Sequence, residues 1–210
     1  FECTKEAGMY DKYNVTQVLK GSESTGKVVA KRIELDLQLH LGMGFGSSYT
    51  NLDGETVSTT SADGLSIFNS AHTVNGSSDT YSNTASAAYG QTGLETLESR
   101  FVGFLNHDGQ LIDRVPDTIF STNKPSVVNL IREYNKGMNH IEDTNRGINV
   151  YQGRYNHVAL VYLDADANGQ KDASKDDYWG LVDTVNNDNL ILEVSQEPTV
   201  YEPERVQRNR

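Results

Sequence analysis

The sequence predicts an α+β fold, on three observations. A proline-free stretch over residues 13–44 carries apolar residues at helical spacing. Two shorter helices are signalled within 92–105 and 125–136. From residue 148 onward the pattern turns to strands and tight turns. A chain of 210 residues buries one sizeable core, divided at most between two lobes that share a sheet.

Thr4 followed by Lys5, Glu6 and Ala7 reads as a short capped helix. Across 13–44 a stripe is formed by Val15, Val18, Leu19, Val29, Ile33, Leu37 and Leu41, weakened in its middle by Gly21 and Gly26. Ile33–Leu41 also alternates apolar with polar residues, which is a strand pattern. Strong helix formers fill the segment and no β-branched residue follows Ile33 within it, so a helix with two apolar faces is expected. Gly42, Gly44 and Gly46 end it. Residues 47–90 are rich in Ser, Thr, Gly and Asn, with apolar islands at Val57 and Leu65–Phe68, and are expected to be irregular with a hairpin or two.

Thr92-Gly-Leu-Glu95 reads as a capping box. Leu94, Leu97, Phe101, Phe104 and Leu105 then line one helix face, and Gly109 is expected to close the helix. Asp117–Ser121 reads as a strand entered through Pro116. Pro125 opens a helix with Val127, Val128, Ile131 and Tyr134 inward and Gly137 after it. Tyr155–Leu163 is apolar on both faces, the mark of a central strand. Tyr178–Val185 and Leu190–Val194 flank Asn186-Asn187-Asp188-Asn189 as a hairpin. No internal repeat or coiled coil is evident.

The net charge of −11 sets 29 acidic residues against 18 basic ones. Nucleic-acid binding depends on clustered Lys and Arg that displace counterions. Only Arg205–Arg210 is locally basic, so direct nucleic-acid readout is not expected. No run approaches the roughly 20 apolar residues of a membrane span, so no membrane partner is expected. Cys3 stands alone and allows no internal disulfide. The chain opens at Phe1 without a basic-then-apolar leader, as after processing or within a longer polypeptide. Asn14-Val15-Thr16 and Asn75-Gly76-Ser77 fit the glycosylation pattern, and both read as coincidence.

Ser70-Ala71-His72 invites a hydrolase reading. Residues two apart on a strand lie about 7 Å apart, and no G-x-S-x-G elbow occurs. His72 is therefore expected to pack or to cap a turn, and no catalytic residue is assigned. His40, His107, His140 and His157 show no metal-binding spacing. Gly42-Met-Gly44-Phe-Gly46 follows a helix rather than a strand, so it reads as a helix terminator and not a dinucleotide loop. The stretch with ligand spacing is Asp164, Asp166, Asn168 and Asp172, with Gly169 at the sixth position, like the start of an EF-hand loop. Position twelve is Lys175 where a bidentate Glu is needed, and a strand precedes the loop. These four residues are weak calcium candidates, set against a solvated hairpin loop. No cofactor is expected.

Asp63-Gly64-Leu65, Ile67-Phe68-Asn69-Ser70-Ala71-His72 and Tyr81-Ser82-Asn83 together resemble a block in tailed-bacteriophage major capsid proteins, including the Mu-like head-subunit branch. The resemblance continues in order. Leu94–Leu105 looks like the following helix and Asp108-Gly109-Gln110-Leu111-Ile112 like its exit. Pro116-Asp117-Thr118-Ile119 looks like the next strand, and Lys124-Pro125-Ser126 like the helix start after it. Tyr151-Gln152-Gly153 and Tyr178-Trp179-Gly180-Leu181-Val182-Asp183 are similar to later strands.

The resemblance implies the Hong Kong ninety-seven-type capsid fold. Residues 1–50 would form a peripheral subdomain with a spine helix over about 13–44. Residues 51–90 would be an extended loop region, 91–195 an axial subdomain of mixed sheet plus helices, and 196–210 a return segment. It further implies a non-enzymatic virion protein, assembled in the host cytoplasm as hexamers and pentamers of itself. Such a shell encloses double-stranded DNA without sequence-specific binding, and scaffold, portal or decoration proteins are its possible further partners. The competing readings are a secreted calcium-binding adhesion or lectin-like module, and a serine hydrolase around Ser70 and His72.

Overall fold

The computed structural model describes residues 14–74, 78–106, 108–137 and 148–185, with side chains from residue 23 onward. The fold is α+β. The short helix expected after Thr4, the hairpin strand at Leu190–Val194 and the segment 196–210 lie outside the described residues.

The first helix, α1 (Asn14–Gly42), has 29 residues and a length of about 43 Å at ~1.5 Å per residue. Ile33–Leu41 is helical, so the local preference of Leu, Glu and Gln prevails over the alternating pattern. From residue 23 onward, where side chains are described, only the last turns of α1 rest on the body. Leu39 is buried against Tyr49 and Ala165, with Leu35, Met43 and Val57 beside them. The Tyr162 N–H donates to Gln38 Oε1 at 2.6 Å. A Cβ at Gly42 would stand 2.6 Å from the Leu163 carbonyl oxygen, so glycine is required for this contact. Residues 23–31 are all exposed.

β1 (Ser48–Thr50) and β2 (Thr56–Ser58) form one antiparallel hairpin; β3 (His72–Thr73) and β4 (Thr80–Tyr81) form another antiparallel pair. One turn recurs four times with the form Asn/Ser/Asp-x-Asp/Asn-Gly-x, beginning at Asn51, Ser61, Asn106 and Asp166. In each, the first residue's N–H donates to the fifth residue's carbonyl and the glycine N–H donates back to the first residue's carbonyl. The glycines Gly54, Gly64, Gly109 and Gly169 have φ of 82°, 78°, 78° and 73°, the left-handed region that a side chain disfavours. At Asn51, Asn106 and Asp166 the side-chain oxygen also accepts the N–H groups of the third and fifth residues. The described residues thus carry a repeated turn.

α2 (Gln91–Val102) departs from expectation at both ends. Its N-cap is Gly90, with no side-chain cap bond. Thr92 lies inside the first turn, where its carbonyl accepts from the Thr96 hydroxyl at 2.6 Å, and Glu95 accepts from Gln91 Nε2 at 2.8 Å. The helix starts before the box because burial of Leu94, which is fully enclosed, sets its position. It ends at Gly103, and Gly109 belongs to a turn.

β5 (Thr118–Thr122), β6 (Asn156–Leu160) and β7 (Trp179–Val182) make a three-stranded sheet in the order β6-β5-β7, with β5–β6 parallel and β5–β7 antiparallel. β5 is therefore the central strand. The expectation of a central strand at Tyr155–Leu163 is corrected: β6 is an edge strand of the described sheet, with Val158 and Val161 about half exposed. An apolar run signals burial on both faces only if something covers both. α3 (Pro125–Lys136) connects β5 toward β6 and buries Val127, Val128, Ile131 and Tyr134, as its spacing predicts. Val127, Ile131 and Tyr134 close on Leu94, Ile119, Tyr151 and Tyr155 to form the main core.

Tyr89 lies at the edge of that core, its ring edge-on to Tyr134 at 5.6 Å and to Trp179 at 4.9 Å. Burial, with Tyr134 and Tyr151 nearby, pushes its pKa up. Its hydroxyl is buried without a hydrogen-bond partner among the described residues. An unmade bond of this kind costs about 1–3 kcal/mol. Tyr89→Phe is accordingly expected to raise stability by about 1 kcal/mol, read as a higher urea midpoint at unchanged slope.

Candidate functional site

The Asp164–Asp172 loop is a hairpin closed by an Ala165–Lys171 bridge. Its carboxylates are engaged within the loop. Asp166 Oδ1 accepts the N–H groups of Asn168 and Gln170 at 2.9 and 2.7 Å. Asp172 accepts from the Ser174 N–H and hydroxyl, and Asp164 pairs with Lys171 at 3.3 Å. Lys175, at the position where a calcium loop has its bidentate Glu, is buried. Its Nζ donates to the Ala165 carbonyl at 2.8 Å and lies 3.2 Å from Met43 Sδ and 3.8 Å from Asp172. Burial lowers the Lys175 pKa, against the opposing pull of Asp172, Asp166 and Asp164. The chain's own ammonium thus balances the acidic loop, and it repels a divalent ion. Among the described residues no group of three or more His, Cys, Asp or Glu is placed to hold a metal. Millimolar calcium is expected to leave the melting temperature unchanged; a rise that grows with calcium concentration would contradict this.

Ser70-Ala-His72 resolves into a structural cluster centred on Asp63. One carboxylate oxygen of Asp63 lies 2.7 Å from His72 Nδ1 and accepts the Thr73 N–H. The other accepts from the Ser61 hydroxyl and the Leu65 N–H. His72 Nε2 faces the Ile67 carbonyl at 3.1 Å, and the imidazole stacks on Tyr81 with ring centroids 5.2 Å apart. Asn83 completes the knot, accepting from the Asn69 N–H at 2.8 Å and donating to the Ile67 carbonyl at 2.7 Å. A nucleophilic triad needs the imidazole between hydroxyl and carboxylate. Here the carboxylate occupies the middle and Nε2 is bonded to a backbone oxygen, so neither ring nitrogen is available to Ser70. Burial would raise the Asp63 pKa, but hydrogen bonds from Ser61, His72 and Leu65 outweigh it and hold the carboxyl well below its usual range.

A second pairing of hydroxyl and imidazole escaped the sequence reading. Ser121 Oγ lies 3.0 Å from His157 Nε2 across the parallel strands and donates to the Thr122 carbonyl. The two residues are 36 apart in sequence, and no spacing rule announces them. Ser121 is fully buried, out of reach of any substrate. Burial, with the nearby Arg132, lowers the His157 pKa. His40 lies in the last turn of α1, and His107 and His140 lie outside the described residues.

Among the described residues, two open apolar surfaces bear on function. One is a groove of about 760 Å³ between the end of α1, the extended segment 84–88, α2 and the β5–β7 face of the sheet. Its aromatic lining includes Phe45, Phe68, Phe101, Phe104, Phe120 and Trp179. Phe120 lies over Gly180 of β7, where a Cβ would come within 2.4 Å of the ring. Trp179 donates to the Ala87 carbonyl at 3.0 Å, which ties segment 84–88 to the sheet. Arg114 and Asp183, 3.8 Å apart, stand among its polar residues. The other surface is the outward face of α1, where Val29, Ile33 and Leu37 are 46%, 46% and 42% exposed.

No protein family, curated protein or solved structure matches this chain. The reading of function therefore rests on the sequence block and on these surfaces. Among the described residues no helix is long and apolar enough to cross a membrane.

Proposed function

We propose that the chain is a structural virion protein, a major capsid subunit that tiles with copies of itself into an icosahedral shell around double-stranded DNA. The observation that carries this reading is α1: a long helix rooted in the body by its last turns, whose projecting part bears an uncovered apolar row. An isolated projecting helix is marginal in water and gains its stability from packing, so such a helix calls for a neighbour.

A second line of support is the block that resembles capsid proteins. Asp63, Asn69, His72, Tyr81 and Asn83 are brought together, and each bond they make fixes the shape of a loop. The capsid fold, with α1 as its spine helix, and the virion location belong to the same proposal. An acidic wall would keep packaged DNA from adhering by like-charge repulsion.

The test is electron microscopy and sedimentation of the purified chain over a wide concentration range. Closed shells or ring-shaped capsomers are expected; a monomer at every concentration would overturn the proposal.

A further inference from the structure

On a helix turning 100° per residue, Gly26, Val29, Ala30, Ile33 and Leu37 fall within an arc of about 100°. Leu35 and Leu39, which hold α1 to the body, lie on the opposite side.

Its composition is graded. Ile33 and Leu37 are large and exposed. Gly26 is small, and a Cβ built there meets nothing within 4 Å. A mid-helix glycine in open solvent costs about 1 kcal/mol relative to alanine, and what it offers in return is a hole into which another helix can press a side chain.

The flank of this row carries Lys27 and Glu34, seven residues apart on one side. Lys27 is bound at 2.6 Å to Glu23, a pair about two-thirds exposed. Glu34 Oε1 accepts from Gln38 Nε2.

We infer that α1 is a self-association surface, on which a second copy of this chain lays its own α1 antiparallel about a twofold axis near Ala30. That axis brings Ile33 of each copy over Gly26 of the other, so the large side chain fills the small position. It also sets Lys27 of each copy across from Glu34 of the other, so the flank is charge-complementary to itself. A twofold contact requires this kind of self-complementarity. A parallel arrangement would instead set Gly26 against Gly26 and turn the two Lys27–Glu34 flanks to opposite sides of the pair. The inference rests on the reading of the chain as a self-assembling subunit and names the surface by which two copies meet.

Crosslinking in a Cys3→Ser background tests it. A Cys3→Ser/Ala30→Cys chain is expected to form disulfide-linked dimers under mild oxidation, because Ala30 lies beside the axis. A Cys3→Ser/Gly26→Cys chain is expected to form none, since antiparallel pairing separates the two Gly26 positions by about 12 Å along the helices, beyond the ~7 Å limit for a disulfide. In sedimentation, Ile33→Glu is expected to weaken the dimer about 100-fold and Lys27→Glu about tenfold. Lys27→Glu/Glu34→Lys is expected to recover most of the loss. Both positions are exposed, so unchanged circular dichroism verifies the fold.

A chain that stays monomeric, crosslinking through Gly26 rather than Ala30, or an Ile33→Glu chain that associates like the parent would each overturn the inference. A monomeric parent with the row covered would mean that another segment of the same chain occupies it. Shells that form despite Ile33→Glu would overturn this surface and leave the capsid reading standing. Ile33-dependent dimers without shells would do the reverse.

Discussion

Asp63→Ala is expected to destabilise the protein by about 3 kcal/mol, because a buried donor left without its acceptor costs about 1–3 kcal/mol and several donors share this carboxylate. The side chains of His72 and Asp63 are only 4% and 13% exposed. Truncation leaves His72 Nδ1, the Leu65 and Thr73 N–H groups and the Ser61 hydroxyl without the acceptor they share. The expected readout is a lower urea midpoint together with loss of order in 61–83, seen as faster amide exchange at Leu65 and Thr73.

The same carboxylate makes a pH prediction. Its pKa in the folded protein is depressed, so its stabilising contribution is full above the unfolded value of about 3.9 and is lost as pH falls through the lower folded value. Asp117 and Asp172, also held low, act in the same direction. Asp63→Asn is expected to flatten the acid limb of the stability curve relative to the parent. An unchanged acid limb would count against the Asp63 cluster as its source.

Gly93→Ala is expected to destabilise by about 3 kcal/mol, the upper part of the usual overpacking range. Helix propensity alone predicts the opposite sign, a gain of about 1 kcal/mol inside α2. The decisive magnitude is geometric: the new Cβ would stand 2.2 Å from the Ala88 carbonyl oxygen and 3.1 Å from the Trp179 ring. The obstacle is backbone, so it yields only if segment 84–88 moves away from α2. That movement would also strain the Trp179–Ala87 hydrogen bond and open one wall of the aromatic groove. Tryptophan fluorescence shifted to the red, alongside a lowered melting temperature, is the expected signature. A stabilised variant would mean that the segment is free to shift.

Much of the fold was legible because local signals and packing agree in it. α3 shows this best: Pro125 fixes its start, and Val127, Val128, Ile131 and Tyr134, at helical spacing, are all buried. α1 was legible from residue preference, although the alternation at Ile33–Leu41 argued otherwise. Reading failed where tertiary fit overrode a local rule. Thr92 and Glu95 have the chemistry of a cap, yet α2 begins earlier because Leu94 must be enclosed and Gly93 must touch Ala88. Tyr155–Leu163 has the composition of a central strand, yet its place in the sheet is set by β5, which pairs on both sides. Asp63 and His72 stand nine residues apart with no periodicity linking them. The turn that holds Asp63 did carry a sign, the recurring Asp/Asn-Gly pair with Asn, Ser or Asp two residues before it.

Those four turns bear on how the molecule assembles itself and meets its neighbours. Each closes its two backbone hydrogen bonds within five residues, so that backbone shape does not wait for distant parts of the chain, and hairpins of this size close in microseconds. Early in folding they are ready-made corners around which the slower parallel pairing of β5 and β6 is arranged. In the finished protein they are stiff knuckles, and a partner that grips them has little motion left to quench.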